Sequence, residues 1–317
     1  MAPFVDRGAY FSLQKLDIKT QGHYMTKNPF DQFSKQFFET FLSPYGEVKI
    51  SEEVPGEPTL IDIYFSPTVK PTKIPKSLGL IRRIASSPCL LEPYRNQPTF
   101  DDIESCLNKL FAVRAEYRRD VGHTNEIVSD KKSPKLWIIA PSASDDLLNH
   151  YGAQPRRKWV SGIYFCSQGF HTRFISVNKL PKTPDTMWLR LFGRGGVQEE
   201  AIDEVLTLEV NDNQRNEALR LLSTWRISID VIPQPTSEDL EFKMIVSKAY
   251  QEWEQATKRQ GIEQGQRIVV ENLLKARFGT LDPELTNIIP SLLTQPTEEY
   301  TRLLLQLSRE ELINRFS

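Results

Sequence analysis

The sequence predicts a mixed α/β (α+β) fold, a sheet flanked by helices, followed by an all-α C-terminal region. Three observations predict it. Short β-branched and aromatic runs alternate with helical patterns up to about residue 180. From residue 184 the apolar spacing becomes helical throughout. Within that helical part, "VIPQPTSED" (231–239) carries two prolines among polar neighbours and reads as a linker. The expected division is therefore 1–235 and 236–317.

The elements follow in order. "PFDQFSKQFFETFLS" (29–43) places Phe30, Phe33, Phe37, Phe38, Phe41 and Leu42 at offsets of three and four, an amphipathic helix that Pro44 ends. "GEVKISEEV" alternates weakly and reads as a strand. "TLIDIYFSP" (59–67) is a strand that stops at a proline. Residues 67–79, rich in Pro, Lys and Ser, form a loop, and "GLIRRIA" a short helix. "PCLLEPYR" is the next strand. "TFDDIESCLNKLFAVRAEYRRD" (99–120) is a helix with Thr99 as N-cap, acids in its first turn and bases in its last. "KLWIIAPSA" is a buried strand, "SDDLLNHYG" a short helix with a glycine stop, and "SGIYFCS" and "TRFISVNKL" two further strands. In the C-terminal region a long helix starts near Glu238, with Phe242, Ile245, Ala249, Trp253 and Ala256 as its stripe. "KRQGIEQGQ" is expected to interrupt it, because each glycine weakens a helix interior by about 1 kcal/mol. The remaining segments, punctuated by Gly279, Pro283, Pro290 and Pro296, suit a small bundle.

Composition narrows the function classes. At 39% hydrophobic and 26% charged residues, the chain is expected to be globular and soluble. No run of about eighteen apolar residues predicts a membrane span, and the N-terminus lacks the pattern of a secretory signal. Cys89, Cys106 and Cys166 have no CxxC spacing and read as reduced cysteines of a cytoplasmic protein. His23, His123, His150 and His171 show no paired ligand spacing, and "FGRGG" lacks the Lys-Ser/Thr of a phosphate loop. Charge is uneven. Residues 1–195 hold 27 Lys and Arg against 20 Asp and Glu, while the remainder holds 13 against 21. A basic N-terminal part can attract phosphate backbones, or simply be a solvated surface. "QPRRKW" places Arg156, Arg157 and Lys158 beside Trp159, a nucleic-acid contact or an exposed turn.

"NPFDQFSKQFFETFL", "LIDIYFSP", "IRRIASSPCLLEPYRN" and "TMWLRLFGRGGVQEEAIDEVLTL" together resemble a cyanobacterial group within the PD-(D/E)XK nuclease superfamily, close to the Rpn recombination-promoting, transposase-like nucleases. The C-terminal stretch from "GQRIVVENLLKARFG" resembles a small helical domain fused behind such nucleases. The resemblance implies a restriction-endonuclease-like sheet, a magnesium-dependent site and DNA as substrate. It assigns the superfamily Asp to Asp62 and the Glu to Glu92, with Glu39 as a helix carboxylate that joins some such sites. Tyr94 stands where the lysine of the Glu-x-Lys pair is expected. Arg95 and Lys109 are the candidates for the missing positive charge. Arg95 supplies charge and bidentate phosphate contact but no proton acceptor. Two function classes follow. One is metal-dependent DNA hydrolysis through Asp62, Glu92 and Arg95 or Lys109, with Mg²⁺ held by Asp62, Glu92 and Glu39. The other is an inactive nuclease-fold protein that dimerises or binds a partner through its C-terminal helices.

Overall fold

In the computed structural model, residues 28–53, 60–122 and 133–316 are described. The chain runs α1 (Pro29–Leu42), β1 (Gly46–Glu53), β2 (Leu60–Pro67), α2 (Leu80–Ile84), β3 (Cys89–Pro93), α3 (Phe100–Gly122), β4 (Lys135–Ala140), α4 (Asp145–His150), β5 (Gln154–Pro155), β6 (Ile163–Phe165) and β7 (Thr172–Ser176). It then becomes helical: α5 (Met187–Arg190), α6 (Gly196–Thr207), α7 (Asn213–Asp230), α8 (Ser237–Ile245), α9 (Ser247–Phe278), α10 (Pro283–Leu293), α11 (Thr297–Gln306) and α12 (Arg309–Phe316). His23 and His123 lie outside the described residues.

Seven strands form one mixed sheet in the order β1-β2-β3-β4-β7-β6-β5. β1, β2 and β3 pair antiparallel, β3, β4 and β7 parallel, and β7, β6 and β5 antiparallel. The central strands β3 and β4 are buried almost throughout, which is why "CLLEP" and "KLWIIA" read as apolar runs. β5 falls inside "QPRRKW", where the sequence signalled no strand. It is an edge of two exposed residues, and an edge can hold a proline because no inner ladder needs its N–H.

Each face of the sheet carries its own core. One core holds the α1 phenylalanines, Ile63 and Phe65 of β2, α2 and the α5–α7 helices. The other holds Leu90 of β3, Ile138 of β4, and Ile103, Cys106 and Leu110 of α3. α1 is pinned by an aromatic stack in which Phe33 and Trp225 lie 4.7 Å apart, centroid to centroid, and Trp225 and Phe242 3.6 Å apart. Phe242 belongs to α8. Phe242, Val246 and Ala249 are all buried in the α1-side core, so its packing continues past residue 235. The α8 start is fixed by a capping box between Thr236 and Asp239. A separate cluster joins Val270 and Leu274 of α9 to α10, α11 and α12.

One reading of the C-terminal region is corrected. α9 does not break at Gly261 or Gly265, which lie inside its 32 residues. The break falls instead at Val246, which caps both α8 and α9. Glu, Gln, Lys and Arg dominate the glycine segment, and the i,i+4 pairs Glu254–Lys258 and Arg267–Glu271 offset part of the glycine cost. Of the stripe, Phe242 and Ala249 are buried in the chain's own core, and Ile245 and Trp253 pack against it. Phe242→Ala is expected to lower unfolding stability by about 3–5 kcal/mol, because it empties a stacked position at the centre of the core. Urea denaturation of the two proteins checks this.

Candidate functional site

β2 and β3 pair through Ile63–Leu91, Tyr64–Leu90 and Phe65–Cys89. One step beyond this ladder the same register sets Asp62 opposite Glu92. There the strands stop bonding through their backbones. The Asp62 N–H instead donates to Glu92 Oε1 at 3.4 Å. The other neighbour is irregular at the same level. β1 pairs Ile50 with Ile63 and Glu52 with Ile61, but the intervening Ser51 has φ of 53° and drops out of the ladder. A non-glycine residue in that region is strained, and such strain collects at functional sites. Side-chain alternation also turns over here: Ile63 and Phe65 pack in the α1-side core, whereas Ile61 packs against α3. The sheet is thus forked at Asp62 and Glu92.

Helices complete the fork from both sides. On α3 the Thr99–Asp102 capping box fixes the first turn, and with it the helix phase. Ile103, Cys106 and Leu110 then face the sheet, and Lys109 flanks them. Lys109 Nζ donates to Glu92 Oε2 at 3.0 Å. On α1, Lys35 lies beside the phenylalanine stripe. Its ammonium is 2.9 Å from Asp31 Oδ2 and 3.8 Å from Asp62 Oδ1. The resulting row is Asp31, Lys35, Asp62, Glu92 and Lys109.

Electrostatics set the protonation of this row. Glu92 is 1% exposed, and burial with the neighbouring Asp62 charge pushes its carboxyl up to about 8, against the pull of Lys109. Burial also raises Asp62, and Asp31 adds to it, while Lys109, Lys35 and a hydrogen bond with the Glu92 side chain pull the other way. Burial works against the Lys109 charge, but Glu92, Cys106 and Asp62 outweigh it and hold that ammonium above its ordinary value. Three carboxylates face two ammoniums, which leaves one surplus negative charge when all ionise. A proton on Glu92 removes it; so would a cation.

The other residues singled out by sequence fall as follows. Tyr94 shares the α3 side with Glu92, as strand alternation requires, and its hydroxyl lies 3.1 Å from Cys106 Sγ. Burial drives that phenol far above the usual range, so it adds no negative charge to the row. Arg95 turns to the opposite face. Its guanidinium lies 5.0 Å from the Trp225 ring centre and donates to the Glu238 carbonyl at 3.2 Å. Burial and the nearby Arg194 lower its pKa to about 10. It joins β3 to α8 rather than to the two acids. Glu39 is half-buried one turn beyond Lys35, and its carboxylate makes no hydrogen bond or ion pair among the described residues. Arg156, Arg157 and Lys158 are exposed in the β5–β6 connection, also away from the acids. Asp31 and Lys35 were missed. Their i,i+4 spacing on the flank of the phenylalanine stripe was the available signal.

Magnesium prefers hard oxygen ligands and commonly takes only one or two carboxylates, filling its remaining positions with water and substrate phosphate. Asp62 and Glu92 are two carboxylates of that donor type, meeting at the same level of neighbouring strands. Among the described residues no group of three or more His, Cys, Asp or Glu side chains is placed to hold one ion.

Comparison with protein-family models, curated proteins and solved structures returned no match. The resemblance to Rpn-like nucleases therefore rests on the sequence stretches quoted above. Among the described residues no helix is long and apolar enough to cross a membrane.

Glu92 binds a proton more tightly in the folded than in the unfolded chain. Its contribution to stability is thus fully present below about 4.5 and is lost as pH rises through about 8. Denaturant unfolding should show wild type losing stability across that window. Glu92→Gln, which keeps the shape without the titration, should flatten the loss.

Proposed function

We propose that this chain is a nuclease-like protein whose fork at Asp62 and Glu92 supports metal-dependent hydrolysis of DNA phosphodiesters. The observation that carries the reading is a buried glutamate bonded on one oxygen by the backbone of the opposing aspartate and on the other by a helix lysine. Lys109, bonded to Glu92, would supply the positive charge that Tyr94 cannot. A restriction-endonuclease-like arrangement of the mixed sheet belongs to the same proposal.

Asp62 and Glu92 would hold Mg²⁺. When bound, that ion supplies Lewis-acid polarisation of a phosphate oxygen and lowers the pKa of a coordinated water. The chain's own side chains do the rest. Glu92 gives up its proton before it can act as a ligand. Lys109, with one N–H spent on Glu92, has two left to orient a phosphate oxygen or the attacking water. Lys35 balances Asp62 from the α1 side and is itself held by Asp31.

A second reading is supported by α9. Ile262, Ile268 and Val269 are exposed there, so the helical tail offers apolar surface to a second copy or another protein. In that reading the fork is an inactive remnant.

Nicking of supercoiled plasmid with Mg²⁺ or Mn²⁺ separates the two. Hydrolysis is expected to strengthen as pH rises through about 8, because the metal needs the deprotonated Glu92. Asp62→Ala, Glu92→Gln and Lys109→Ala should each reduce it about a hundredfold or more. Absence of metal-dependent nicking by the wild-type protein above pH 8, where Glu92 is ionised, would leave only the binding reading.

A further inference from the structure

On the face of the sheet opposite Glu92 and Lys109 lies a cleft of about 520 Å³, lined by Lys76, Arg82, Arg83, Trp159 and the hydroxyl residues Thr72 and Ser86. We propose that this cleft is a phosphate-binding site.

The cations are positioned by neutral partners. Arg82 Nε donates to the Pro71 carbonyl at 3.3 Å, and Arg83 Nη2 to the Lys158 carbonyl at 3.0 Å. The Arg83 guanidinium carbon also lies over the Trp159 ring, 3.7 Å from its centre. Such contacts fix a guanidinium without cancelling its charge. Among the described residues no carboxylate forms an ion pair with Lys76, Arg82 or Arg83, and Asp185 is the single acid lining the cleft. Two arginine forks, a lysine and two hydroxyls match the several acceptor oxygens of a phosphate.

The aromatic ladder continues past the cleft. Trp159 lies 5.3 Å from Phe165, and Arg156 sits 4.3 Å over the Phe165 ring. A second cavity of about 230 Å³, lined by Arg156 with Lys135 and Arg173, opens there. The shared chemistry is phosphate; its source is either a free phosphorylated metabolite or the backbone of a nucleic-acid strand. The site does not depend on the acids at the fork, so it stands whether or not they hydrolyse anything.

The test uses the full chain in EDTA. One arm titrates inorganic phosphate and a 5′-mononucleotide by calorimetry; the other follows a fluorescein-labelled single-stranded oligonucleotide by anisotropy. At least one arm should saturate without metal. Arg82→Ala should weaken that binding about tenfold, as expected for loss of a charged hydrogen bond. Lys76→Ala, fully at the surface, should weaken it in the same direction and checks against a folding defect. Oligonucleotide binding with no mononucleotide binding assigns the site to a strand, and each removed cation should then lower the salt slope by about 1. Lys258→Ala removes the same charge from exposed α9 and should change affinity less than about twofold. Failure of both arms in the wild-type protein, or equal losses from Lys258→Ala and Arg82→Ala, overturns the proposal.

Discussion

The burial of Glu92 is the constraint around which the site is built. A carboxylate at the end of an inner strand has no water to stabilise it, so the fold must supply a counter-charge or a proton. It supplies both: an ammonium from α3 and a raised proton affinity. An ordinary strand end would place such an acid in solvent. Here its oxygens are occupied by the partner strand's backbone and by Lys109, and the sheet gives up its own ladder to allow it.

Secondary structure makes this possible at a distance in sequence. β2 and β3 are neighbours, so two acids thirty residues apart meet by register alone. The third partner arrives by helix phase, set a whole helix turn and more away by the Thr99–Asp102 cap. The α1 contribution depends on aromatic packing, since Phe33, Trp225 and Phe242 hold the helix that presents Lys35. Stability of the C-terminal α8 is thereby coupled to the geometry of a site built from N-terminal elements. Arg95 belongs to that coupling: it spans from the exit of β3 to the Glu238 carbonyl at the start of α8.

Much of this was legible in the sequence because it is local. The phenylalanine spacing gave α1, the apolar runs gave β2, β3 and β4, and the capping pattern gave α3. The resemblance, with its order helix, Asp-strand, Glu-strand, helix, singled out Asp62 and Glu92, and it named Lys109 beside Arg95 as a source of positive charge. What could not be read is non-local. Arg95 goes to rings contributed by Phe30, Trp225 and Phe242, which no window around position 95 contains. The strain at Ser51 and the turnover of alternation at Asp62 are properties of three strands together. Lys35 stands among aromatics in the sequence, and its nearness to Asp62 arises only where β2 lies beside α1. α9 was misjudged for a different reason: glycine propensity is a weak local cost, and flanking residues that favour helix override it.

The central claim is that the two acids belong to one electrostatic unit, with Asp31, Lys35 and Lys109, whose surplus negative charge a divalent ion can offset. The most direct measurement is anomalous diffraction from a crystal soaked in Mn²⁺ above pH 8, where Glu92 is ionised. The account predicts a peak shared by the Asp62 and Glu92 carboxylates, with Lys109 still on Glu92. Carboxylates turned to separate environments, with no density between them, would contradict it.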